Sequence, residues 1–144
     1  MEDVFYFTKS KIGVLDIMRV AIEAGYEVPR GLTPLSEDPC EQARNINYMN
    51  PITGDERFWP VESMSAECGY YEGWDEESMQ KVSDYEPASA FSISYNPGSV
   101  HMLAAFLKVV LERYGGWVGC DDVGFRRSYT AENIEEMDCF YETR

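Results

Sequence analysis

Asp121 and Asp122 stand side by side after the short apolar run Trp117-Val118-Gly119-Cys120. Carboxylates at a strand end hold Mg²⁺ in many hydrolases. With His101, the sole histidine, they offer one chemical reading, a small metal-assisted hydrolase. Adjacent side chains on extended chain point to opposite faces, so the pair reads better as a solvated turn than as a metal site. His101 falls on the less apolar side of a helix, with Ala105, Lys108 and Glu112. No motif ties a Ser or Cys nucleophile to it, and Ser99 is accounted for as a helix cap. Gly115-Gly116-Trp117-Val118-Gly119 follows a helix and precedes a strand, the reverse of a phosphate loop, and has no Lys-Ser/Thr. The sequence therefore points to no catalytic residue, no metal ligand and no cofactor.

A different chemistry, recognition, is written in Tyr70-Tyr71-Glu72-Gly73-Trp74-Asp75-Glu76-Glu77. Aromatic side chains supply contact area at low entropic cost, and acids beside them select a basic partner. Tyr70, Tyr71, Glu72, Trp74, Asp75, Glu76 and Glu77 are the expected partner-binding residues. The competing reading is a strand end with core aromatics and a solvated acidic turn. Ser63 to Ala90 carries seven acids (Glu67, Glu72, Asp75, Glu76, Glu77, Asp84, Glu86) against Lys81 alone. That imbalance is the densest part of a net charge of −14, which accompanies 14% aromatic residues. A disordered acidic tail would lack the aromatics. The charge argues against nucleic acid, acidic lipid and nucleotide phosphate, all of which call for Lys and Arg clusters; Arg126-Arg127 is the only local one. A basic protein partner would instead be steered in over long range.

These residues need elements to position them, and 144 residues suffice for one domain, 1–144, with one real core. Val4 to Thr8 is β-branched and aromatic, hence a strand. Val14, Ile17, Met18, Ala21 and Ile22 recur at helical spacing, predicting a helix over 10–24 capped by Ser10 or Thr8 and stopped by Gly25. Tyr26 to Val28 reads as a short strand. Residues 29–62 are irregular and proline-punctuated, with one or two helical turns expected over Glu41 to Tyr48. Glu62 to Gly73 is a candidate strand or hairpin, and residues from Trp74 to about Val82 form an acidic turn or short helix. Ala88 to Tyr95 alternates as a strand. The broad apolar stripe of Val100 to Tyr114 makes the strongest helix. Trp117 to Cys120 is a short buried strand, and a last helix, capped by Thr130, runs from Ala131 to about Tyr141. The fold class is α+β: a mostly antiparallel sheet of four to five strands, with two main helices and a C-terminal helix packed on it.

Four scattered cysteines (Cys40, Cys68, Cys120, Cys139) without a C-x-x-C pair predict reduced, mostly buried thiols in a cytoplasmic protein, with a disulfide pair or a metal site as the alternative. Nothing in the sequence reads as a signal peptide, and the longest strongly apolar stretch, Met102 to Leu111, is too short for a bilayer.

The stretch SAFSISYNPGSVHMLAAFLKVVLERYGGWVGCDD, followed by YTAENIEEM, resembles small acidic bacterial toxin-immunity proteins of polymorphic or type VI secreted systems. The shared order is strand, Asn-Pro turn, apolar helix ending in Tyr-Gly-Gly, short strand with acids, then a Tyr-Thr-capped acidic helix. It covers roughly residues 88–137, its motifs are structural, and no site residue carries over. The resemblance implies a cytoplasmic, non-enzymatic protein that binds and blocks one cognate toxin with a basic surface or cleft. A nucleic-acid mimic ranks below this and below the hydrolase, because the acids are clustered rather than spaced like phosphates.

Overall fold

A computed structural model describes residues 2–25, 42–43, 61, 63–67, 74–95, 98 and 100–137. Six strands form one sheet in the order β2-β3-β4-β1-β5-β6, every neighbouring pair antiparallel. They are β1 (Glu2–Thr8), β2 (Gln42–Ala43), β3 (Ser63–Glu67), β4 (Ser89–Tyr95), β5 (Trp117–Cys120) and β6 (Ser128–Tyr129). The helices are α1 (Val14–Glu23), α2 (Glu76–Tyr85) and α3 (Val100–Tyr114). The α+β class read from the sequence is the one found, with helices on both faces of the sheet.

The alternation of β1 explains the two faces. Val4 and Tyr6 point into a core shared with α1 and α3, alongside Ile17, Leu103, Leu107 and Val110. Phe5 and Phe7 point the other way, into a smaller core with Trp74, Val82, Trp117 and Phe125. Because side chains alternate with period two, a one-residue slip of β1 would exchange both sets. Register is held on both sides: Val4 faces Ile93 of β4 and Cys120 of β5, and Phe7 faces Ala90 and Trp117.

The turn after α3 locks this arrangement. Gly115 and Gly116 take φ of +73° and +98°, which L side chains rarely adopt. A Cβ on Gly116 would lie 2.0 Å from the Phe7 carbonyl oxygen, so β1 passes where only glycine fits. The Tyr6 hydroxyl donates to the Gly115 carbonyl at 2.7 Å. Burial pushes that phenol's pKa well up, keeping it a donor.

Several boundaries depart from expectation. Helix α1 starts at Val14 rather than near Ser10 because the Asp16 carboxylate accepts the Gly13 N–H at 2.8 Å. The hydroxyls of Thr8 and Ser10 instead donate to the Tyr114 carbonyl, at 3.0 and 3.2 Å. Where helical turns were expected after Cys40, Gln42–Ala43 pairs with β3 as a strand. The C-terminal segment enters as a turn and one 3₁₀ turn, Ile134–Glu136, not as an α-helix from Ala131. Ile134 and Met137 are nonetheless buried in the α1/α3 core. The expected strand over 26–28 and the expected hairpin beyond Glu67 lie outside the described residues.

The cysteine expectation is corrected. Cys120 is fully buried and disulfide-bonded, not a reduced thiol. Spacing in the sequence carries no distance, so the absence of a C-x-x-C pair did not exclude a bridge between segments far apart in the chain.

Candidate functional site

Helix α2 carries the acidic run. Its N-cap is Asp75, whose Oδ1 accepts the Ser78 N–H at 2.9 Å and whose Oδ2 accepts the Ser78 hydroxyl at 2.8 Å. Those bonds, the backbone one foremost, hold the Asp75 carboxyl below its ordinary pKa. The Gly124 N–H, from the turn Val123–Phe125, also points at both Asp75 oxygens at 3.3 Å. Asp75 thus ties the start of α2 to the segment after β5, and its role is positional before it is anything else.

Trp74 sits one residue earlier and turns inward. It is 7% exposed, with its ring edge-on to Phe5 at 5.3 Å, Phe7 at 5.6 Å and Phe125 at 5.3 Å. This corrects the expectation of a surface anchor: in this conformation the indole is core, and a partner cannot reach its face. Glu76 and Glu77 are exposed on the first turn of α2, as an interface reading requires. Glu77 approaches Arg126 at 3.8 Å, an exposed contact of little energetic weight. Tyr70, Tyr71 and Glu72 lie outside the described residues.

The sheet brings further acids to the same rim. Asp3 of β1 follows the alternation of Phe5 and Phe7 toward the α2 side, and its carboxylate accepts the Ser94 hydroxyl. Beyond the Val4–Cys120 pair, the antiparallel register carries Asp121 to the level of Asp3. The Asp121 carboxyl is pushed above its ordinary pKa, chiefly by loss of hydration and then by the negative charges of Asp3, Asp122 and Asp75. Four carboxylates from three places in the chain therefore converge where α2 begins and β5 ends. Sequence reading named Asp75, Asp121 and Asp122 separately and missed Asp3; only the β1–β5 register joins them.

Asp122 differs from its neighbour. Its Oδ2 accepts Arg127 Nε at 2.8 Å, in a pair only partly open to water. Behind it, Lys81 reaches from α2 across the aromatic core. Its Nζ lies 4.9 Å from the Trp117 ring centroid and donates to the Phe125 carbonyl and the Ser128 hydroxyl, each at 2.9 Å. Burial lowers the Lys81 pKa, and Asp122 offsets part of that. The two cations thus stand beside Asp122, on the inner side of the rim, while Glu76 and Glu77 are exposed on its outer side.

The hydrolase constellation does not assemble. His101 is exposed on the first turn of α3, in the layer on the other side of the sheet, and Asp122 is committed to Arg127. Among the described residues no three His, Cys, Asp or Glu side chains are grouped to hold a metal ion. Also among them, no helix is long and apolar enough to cross a membrane. Comparison with protein-family models, with curated proteins and with solved structures finds no match to this chain.

Proposed function

We propose that this protein is a non-enzymatic, acidic interaction protein of the immunity type, which binds a cognate bacterial toxin and neutralises it by covering a basic active site or binding surface. The observation that carries the reading is the convergence of Asp3, Asp75 and Asp121 beside the exposed Glu76 and Glu77. Loss of hydration and, to a lesser extent, the neighbouring carboxylates raise the Asp121 pKa, and both work against the folded state at neutral pH. A basic group docked on the rim would offset the repulsion among the carboxylates, so that part of the cost is returned on binding. Glu76 and Glu77 on their own are explained by the dipole of α2, whose N-terminus favours negative charge. Asp84 and Glu86 are not, since they lie at the C-terminal end, where no basic residue stands in the last turn. Acids at both ends of one helix fit selection for a surface rather than for helix stability.

The contact surface in this reading is Glu76 and Glu77 with the outer carboxylates Asp3 and Asp121, and Tyr70, Tyr71 and Glu72 remain candidates by sequence adjacency. Trp74 supports the surface from beneath. Nucleic acid stays disfavoured as a partner by charge. The cytoplasmic site of action that the resemblance implies loses its second support, reduced cysteines, with the Cys120 disulfide.

The test is co-expression with the product of the adjacent toxin gene in the native host's locus, scored by survival and by co-purification. Wild type should protect and co-purify, with an association rate that falls roughly tenfold or more between low and physiological salt. The Glu76→Lys/Glu77→Lys variant should stay folded with a Tm lower by a few degrees, since it places cations at the N-terminus of α2, and should associate more slowly. Unchanged, salt-independent association of that variant would sink the assignment of the surface.

A further inference from the structure

We infer that α2 and the turn Val123–Phe125 form a latch, a single unit that opens while the rest of the sheet stays closed. Backbone strain marks the turn. Gly124 and Phe125 have φ of +69° and +48°, consecutive residues in the left-handed region. For an L-residue as bulky as phenylalanine that conformation is unfavourable, and it persists only where the surroundings over-determine it. Among the described residues one other non-glycine shares it, Glu86, which ends α2 as its C-cap. Phe125 sits instead in the middle of a buried turn.

Helix α2 supplies much of what holds the turn. Of the described elements, this turn is the one α2 packs on most extensively. At the start of the helix, the Asp75 carboxylate accepts the Gly124 N–H and the Ser78 N–H, so helix and turn share one anchor. Further along, Lys81 Nζ donates to the Phe125 carbonyl at 2.9 Å and joins it to Ser128 of β6. A Cβ on Gly124 would lie 2.7 Å from Glu77 Oε2, a measure of how closely the two segments meet. The Phe125 ring is 1% exposed, packed on Phe5, Phe7, Trp74 and Trp117.

Opposed forces therefore meet on one short segment. The backbone of Phe125 pushes it open, and so does the repulsion that Asp121 feels from Asp3, Asp122 and Asp75. Burial of the Phe125 ring and the ties from Asp75 and Lys81 hold it closed. The helix above buries only Ser78 and Val82 of its own residues. A region with few buried contacts and stored strain opens at lower free energy than the whole fold. Asp121 and Asp122 lead directly into the turn, so the state of the latch sets the spacing of the carboxylate rim. The inference is independent of the toxin reading, and its test uses the protein without a partner.

Amide hydrogen exchange of the full-length chain, followed residue by residue by NMR, is the test. In wild type the amides of Ser78, Gly124 and Phe125 should exchange through one opening, with protection within about threefold of each other and roughly tenfold or more below that of the central amides of β1 and α3. A wider spread among the three separates helix from turn and overturns the latch, as does protection equal to that of β1. Lys81→Met removes the donor to the Phe125 carbonyl and keeps an apolar stem over Trp117. Exchange at Ser78, Gly124 and Phe125 should then rise together by roughly tenfold, with β1 and α3 unchanged. A rise confined to Phe125, an equal rise throughout the fold, or no rise contradicts the proposal. Should the variant not fold, the wild-type comparison decides by itself.

Discussion

The two faces of the sheet solve the same burial problem with different chemistry. The α1/α3 face is covered largely by aliphatic side chains on a ten-residue and a fifteen-residue helix, and its charged groups sit outside as exposed pairs such as Lys108–Glu135. The α2 face is covered by one helix, and its core is built from Phe5, Phe7, Trp74, Trp117 and Phe125, with the stem and ammonium of Lys81 laid across it. Aliphatic packing needs length of helix to exclude water. Aromatic packing covers the same sheet with fewer residues, and Trp, Lys and the carboxylates at the edge keep polar groups close to the core. The thinner face is therefore the one that can carry a charged rim against an apolar backing.

The largest expected effect separates core from contact surface. Trp74→Ala should cost about 3–5 kcal/mol, comparable to the ~2–5 kcal/mol of Leu107→Ala on the other face. Guanidinium melts would show both as lower midpoints with similar m-values. The contrast drawn here makes Trp74 a core residue, so Trp74→Phe should recover most of the stability and leave partner association near wild type. A Trp74→Ala protein of wild-type midpoint would place the indole outside the core and restore it as a surface anchor.

Which parts of this were legible follows from how local each cause is. Helix α3 and strands β1, β4 and β5 are written in runs of period 3.6 or 2 bounded by Gly and Asn-Pro, and the chain places them where those runs stand. The start of α1 was misplaced because the decisive group, the Asp16 carboxylate, lies inside the helix, and the expected caps are spent on the Tyr114 carbonyl. The fate of Trp74 is undecidable locally: between Gly73 and Asp75, in an acidic run, it reads as surface, and only its distant partners Phe5, Phe7 and Phe125 draw it in. The same holds for the rim, which needs the β1–β5 register to set Asp3 beside Asp121.

A smaller effect tests the hinge between α2 and the β5 end. Asp75→Ala removes the acceptor for the Ser78 N–H and hydroxyl and for the Gly124 N–H. The Tm at pH 7 should fall by about 2–4 °C. Because the folded carboxyl titrates below its ordinary value, its contribution is whole above the unfolded pKa and is lost as pH falls through the folded one. The wild-type advantage should therefore hold at pH 5–7 and close in stronger acid, below about pH 4. An advantage that does not change with pH would mean that the carboxylate's charge is not what anchors α2.

The smallest effect has the opposite sign and bears most directly on function. Asp121 titrates above its ordinary value, so between the unfolded and the folded pKa the native state holds more protons than the unfolded one. Stability attributable to this residue consequently falls as pH rises through that window, and the deficit is complete at neutral pH. Asp121→Asn keeps the shape and removes the charge, so its Tm should exceed wild type at pH 7 by about 1–3 °C and match it near pH 3. A residue placed only for solubility on an uncrowded surface would show no such crossover. If Asp121→Asn also slows association with the toxin while raising the Tm, the rim gives up stability for recognition, and the aliphatic face, which bears no such cluster among the described residues, should show no substitution there that behaves in this way.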